Sequence, residues 1–87
     1  MIERHYTITN EQGLHARPAS LLVQMASQSK SAVMLVEGKK EFNAKSILGI
    51  MSVGAQKGAQ ITIKIDGPDE AETVSKIEAL FNSNFGE

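Results

Sequence analysis

An α/β (α+β), open-faced two-layer sandwich is predicted by three features of this chain. Two segments alternate apolar and polar residues in the manner of half-buried strands, and two longer segments carry a single apolar stripe at helical spacing. The third feature is their order, β-α-β-β-α-β-α. Each long helix has one stripe to bury. A four-stranded antiparallel sheet covered on one face by two long helices, with one short helix beside them, accommodates every apolar face.

The first strand is read from Ile2, Tyr6 and Ile8 alternating with Glu3, His5, Thr7 and Thr9. Arg4 falls in the inward series, which places it at a sheet margin where its stem packs and its charge reaches water. After Asn10-Glu11-Gln12-Gly13, a helix is predicted from Ala16 to about Gln28. Ala19, Leu22, Val23 and Ala26 form its face, and Leu21 and Met25 widen the stripe. Pro18 fits the first helical turn, where its missing N–H would have had no acceptor, and so sets the helix start at residue 15 or 16.

Ala32-Val33-Met34-Leu35-Val36 is short and β-branched, and Gly38 turns it into Glu41-Phe42-Asn43 as a hairpin. Ser46 as N-cap and Gly54 as stop frame a short helix across Ile47–Val53. Ile61, Ile63 and Ile65 alternate with Gln60, Thr62, Lys64 and Asp66 in the clearest strand, ended by Gly67-Pro68. Asp69-Glu70-Ala71-Glu72 then reads as a capping box for a helix whose face is Ala71, Val74, Ile77, Leu80 and Phe81. A right-handed crossover through the first helix leaves room for the last strand between strands one and two.

With 87 residues, two prolines and no compositional break, residues 1–87 are expected to form a single domain. So small a domain has little depth for an enclosed active site, which favours a shallow site shown to a partner. A formal net charge of −1 gives no electrostatic reason to expect nucleic acid or anionic lipid. An RNA-binding fold shares the β-α-β-β-α-β order. Three phenylalanines, one tyrosine and a near-neutral balance give it no basic, aromatic sheet face, so direct nucleic-acid binding is not expected. The absence of cysteine suits a reducing compartment, and the first residues show no signal-peptide pattern. A cytoplasmic protein without membrane insertion is the expectation. Two histidines with no cysteine make a metal site unexpected, and no cofactor is called for.

The segment Gly13-Leu14-His15-Ala16-Arg17-Pro18 brings an imidazole, a guanidinium and a helix N-terminus to one place. A helix start offers unpaired amides and partial positive charge, so an anion is held there without a deep pocket. A histidine at such a position also has a plain role as a solvated or capping residue. His5 lies on the polar side of its strand, with no motif around it. Ser46 before a short helix is an ordinary N-cap. Ile47, Leu48, Ile50, Met51 and Val53 crowd too much apolar surface onto two turns to face one core. Ile50 and Val53 are assigned to the core, leaving Ile47, Leu48 and Met51 exposed as a partner-facing patch.

The segments Gly13–Ala19 and Lys45–Gly54, with Gly58-Ala59-Gln60-Ile61-Thr62-Ile63 and the last helix, resemble HPr, the histidine-containing phosphocarrier family of the bacterial sugar phosphotransferase system. The resemblance spans the whole chain. It implies that His15 accepts a phosphoryl group at Nδ1 from the phosphoenolpyruvate-dependent enzyme I and passes it to sugar-specific enzyme IIA components, as a transient carrier rather than a stand-alone enzyme. It implies further that Arg17 assists the phosphoryl group. By the same resemblance Ser46 is a regulatory site of the Gram-positive type, served by a serine kinase/phosphorylase and read by a catabolite-control transcription factor. Partner-contacting residues are expected at Leu14, Ala16, Ser20, Leu21, Ile47, Leu48, Met51 and Gly54. Many members have methionine where this chain has Leu48, and Gln12 and Ser20 stand at variable positions. A second reading is a regulatory interaction module acting mainly through phospho-Ser46. His15 speaks against it, because the related catabolite-repression paralogue lacks histidine there.

Overall fold

In the computed structural model, which describes residues 1–86, the elements follow the predicted order. They are β1 (Ile2–Thr7), α1 (Ala16–Ser27), β2 (Ala32–Glu37), β3 (Lys40–Asn43), α2 (Ile47–Met51), β4 (Gln60–Asp66) and α3 (Glu70–Asn82), closed by a 3₁₀ turn at Asn84–Gly86. The sheet order is β1-β4-β2-β3 with every neighbouring pair antiparallel, so β4 lies between β1 and β2 as the crossover argument requires.

Register explains the core. Ile65 pairs with Ile2 and Val33, and Ile63 with Arg4 and Leu35, so one row of β4 side chains faces the helices. Ile61, Ile63, Ile65, Val33 and Leu35 are all buried there. Each fully buried aliphatic side chain contributes about 1.5–3 kcal/mol of transfer free energy. Ala19, Leu22 and Ala26 meet them from α1, and Val74 and Ile77 from α3. Arg4 occupies the inward register of β1 yet is exposed, because β1 is an edge strand.

Three sequence expectations are corrected here. The short helix ends at Met51 rather than Val53, with Ser52 as its C-cap and Gly54 at φ +64° beyond. Ala71 is exposed, and buried Thr73 takes its place on the inner face of α3. The capping box at Asp69 does not form, since the Asp69 side chain makes no cap hydrogen bond to α3. Its carboxylate instead accepts from the Lys30 amide at 3.0 Å, from Ser29 Oγ at 3.0 Å and from Ser31 Oγ, tying the start of α3 to the loop between α1 and β2. These donors hold the Asp69 carboxyl well below the usual carboxylate range, the Lys30 amide contributing most. Just before the helix, the Glu70 carboxylate accepts from the Gly67 amide at 3.1 Å, a one-way bond that resembles half of a capping box set two residues earlier.

The 3₁₀ turn was not anticipated. Phe85 is buried although its φ is +56°, and its ring meets Phe81 edge-on at 4.9 Å, while Phe81 stacks on Tyr6 at 4.2 Å. Burial of this large ring offsets the unfavourable left-handed backbone.

Candidate functional site

The path from β1 into α1 is held by a neighbouring loop. The Ile8 amide donates to the Ala59 carbonyl at 2.9 Å, and the Gly58 amide donates to the Ile8 carbonyl at 2.7 Å. The Gly13 amide donates to the Asn10 carbonyl at 3.0 Å, closing a turn, and the Leu14 amide donates to the Ala55 carbonyl at 2.9 Å. Exposed Lys57 and Glu11 add an ion pair at 2.7 Å between the same two loops.

Gly13 is required twice over. Its φ is +68°, and a Cβ there would lie 2.7 Å from Gln56 Cα and closer still to the Ala55 carbonyl oxygen. The residue before His15 is thereby fastened to the segment that follows α2.

His15 is the N-cap residue of α1 by backbone position, with φ −79° and ψ −171°, and its carbonyl accepts the Ala19 amide at 3.0 Å. Its ring is not used as the cap. The imidazole is half-buried, while Ala16 and Arg17 are exposed and Pro18 is buried against the core. Because the third helical residue is proline, the donors with no intrahelical acceptor are the amides of Ala16 and Arg17. His15, Arg17 and two amides without intrahelical acceptors thus belong to one helix start, the kind of terminus at which an anion is favoured without a deep pocket.

Ser46 caps α2, its Oγ accepting the Gly49 amide at 3.1 Å. Beyond it Ile47, Leu48 and Met51 are 41%, 78% and 45% exposed, whereas Ile50 and Val53 are buried. The split follows from helical period. In so short a helix, packed against α1, only one residue per turn can reach the core. Ala16 and Gly54 are exposed, and Ser20 and Leu21 half-buried. Leu14 is different. It is only 5% exposed and belongs to the core cluster, because the Leu14–Ala55 bond turns its side chain inward, so it does not form part of the accessible face. The contribution of Ala55, which positions the His15 loop, was not foreseen. The only sequence signal for it is the turn glycine at position 13, which says that something approaches closely without saying what.

Among the described residues no group of three or more His, Cys, Asp or Glu side chains is placed to hold a metal ion, and no helix is long and apolar enough to cross a membrane. The family model for the PTS HPr component phosphorylation site matches residues 2–83. This chain belongs to the HPr family. HPr proteins are phosphocarriers of the phosphotransferase system, and phosphocarrier protein HPr of Treponema pallidum (strain Nichols) is 42% identical over 87 residues, covering 100% of this chain and 99% of that protein. HPr-C-His from Thermoanaerobacter tengcongensis has a crystal structure that superposes with a TM-score of 0.96 at 44% identity, over 100% of this chain and 98% of that one. Crh, the catabolite repression protein of Bacillus subtilis seen as a swapped dimer, is 37% identical with a TM-score of 0.75, covering 97% of each chain. The open-faced α+β sandwich is therefore that of HPr, and the helix start just described lies within the segment that the family model matches.

Proposed function

We propose that His15 is the phosphoryl acceptor and donor of this HPr-family chain, receiving the group from phosphorylated enzyme I and passing it to enzyme IIA components in the cytoplasm. The observation that carries this reading is a half-buried imidazole at the start of α1 that is not used as the helix cap, beside the exposed Arg17 and the amides of Ala16 and Arg17. A ring nitrogen lone pair forms the bond to phosphorus as the bond between phosphorus and the donor atom breaks, its electron pair returning to the donor. The other ring nitrogen keeps its proton. Transfer through a loose transition state asks mainly for alignment and charge stabilisation, which two docked proteins supply jointly across a shallow surface. Arg17 and the helix start stabilise the phosphoryl charge on His15, and the ring, only half-buried, leaves the group open to the next acceptor.

Ser46 phosphorylation by an ATP-dependent kinase is the regulatory half of the proposal. A phosphate adds about −1.5 to −2 charges at the cap of α2, where the helix start accepts it with little rearrangement. Its chief effect is to place negative charge beside the exposed Ile47, Leu48 and Met51, altering docking to enzyme I and presenting a new surface to a catabolite-control transcription factor. Likeness to Crh favours this second role.

Incubation with phosphoenolpyruvate and enzyme I tests the first half. Acid-labile phosphate is expected on the wild type and absent from His15→Ala, and equal labelling of the two would overturn the assignment. In the same preparation, kinase with ATP is expected to add acid-stable phosphate that Ser46→Ala abolishes. A chain acting only through Ser46 would support sugar uptake equally well with His15→Ala.

A further inference from the structure

Met51 carries a chemistry that phosphoryl transfer does not use. The chain has neither cysteine nor tryptophan, which leaves methionine thioethers as its most readily oxidised side chains. Of the four methionines, Met25 and Met34 are half-buried, and only Met1 and Met51 are exposed. Met1 stands at the far end of β1 from the His15 loop, its ammonium 3.4 Å from the Glu70 carboxylate. Met51 alone lies on the α2 face, with Ile47 and Leu48.

We propose that Met51 is an oxidation site through which peroxide-class oxidants weaken docking of this chain to its phosphotransfer partners. The inference rests on reading Ile47, Leu48 and Met51 as the docking face. In the step itself the thioether sulfur attacks one peroxide oxygen. An S–O bond forms, the O–O bond breaks, sulfur gives up two electrons, and the departing hydroxide takes the proton from the new S–OH group, leaving the sulfoxide and water. The sulfoxide sets a strongly polar oxygen where an apolar contact was made, and covering it without a hydrogen-bond donor is costly. Because α2 has five residues and Ile50 is buried, only three large side chains supply the exposed apolar area of this helix, and no neighbour replaces the one lost. The chemistry at His15 is untouched, so the defect belongs to complex formation.

Mild hydrogen peroxide treatment of the intact chain, peptide mass mapping and steady-state transfer from phosphorylated enzyme I test the proposal. One added oxygen at residue 51 is expected, with a rise in KM of about five- to tenfold and little change in kcat. Methionine sulfoxide reductase is expected to reverse it. Met51→Leu, compared with its own untreated value, is expected to keep its KM under the same treatment. An equal loss in peroxide-treated Met51→Leu, or complete oxidation at residue 51 with unchanged KM, would overturn the proposal. Leu48→Asp separates it from the reading beneath it. If Leu48→Asp leaves transfer intact, the docking face itself is rejected. If Leu48→Asp impairs transfer and the Met51 sulfoxide does not, the oxidation proposal alone falls.

Discussion

Gly13 shows how one residue without a side chain sets the geometry of a functional one. Its left-handed φ and the close backbone of Ala55 and Gln56 leave no room for a Cβ. Gly13→Ala is expected to cost about 2–4 kcal/mol, because neither the turn nor the facing backbone can yield without breaking the Leu14–Ala55 bond. Thermal unfolding checks this, and a Tm fall of about 10 °C or more is the expected outcome. His15 itself was legible in the sequence. A histidine between a turn glycine and a first-turn proline fixes both the helix start and the position of the imidazole on it, whatever the rest of the fold does. Leu14, its neighbour, is expected from the resemblance to contact partners and is instead buried, since nothing in the sequence tells which way a loop residue turns once a carbonyl from a distant loop has captured its amide.

At the level of elements, the join between α1, β2 and α3 is governed by Asp69. Ser29, the Lys30 amide and Ser31 all donate to its carboxylate, and Ser29 also meets the Thr73 hydroxyl at 2.6 Å. Since the folded carboxyl is held below its ordinary value, the unfolded chain binds the proton more readily. The stabilisation is therefore present above about pH 4 and is lost as pH falls through the carboxylate range toward the lower folded value. Asp69→Asn is expected to lower Tm at neutral pH and to flatten the fall of Tm with acid below that range, as measured by thermal melts at a series of pH values. An equally steep acid loss in the variant would show that other carboxylates govern it. The sequence placed Asp69 at the start of α3 correctly and gave it the wrong partners. An N-cap and a tertiary acceptor need the same residue type, and only the approach of the 29–31 loop decides between them.

For the whole molecule, topology makes β4 and β2 the inner strands of the sheet, each paired on both sides, while β1 and β3 are edges. Amide hydrogen exchange is expected to be slowest at Ile61, Ile63 and Ile65 and faster in β3. Opening β4 requires global unfolding, whereas an edge strand frays locally. Comparable protection in β3 and β4 would contradict the sheet order. The same topology puts both long helices on one face, so that the starts of α1 and α2 and the apolar residues of α2 are all available to a docking partner.

Alternation and helical period are properties of consecutive residues. For that reason the chain by itself determined the order of strands and α-helices, the one-sided sandwich, the helix start at His15 and the capping serine at position 46, though not the closing 3₁₀ turn. Only the tertiary structure decided that Ala55 holds the His15 loop, that Leu14 turns inward and Ala71 outward, that Asp69 binds the 29–31 loop, and that Phe85 is buried. Each of those outcomes depends on a contact between segments far apart in sequence, whose distance is set by packing and has no local signature.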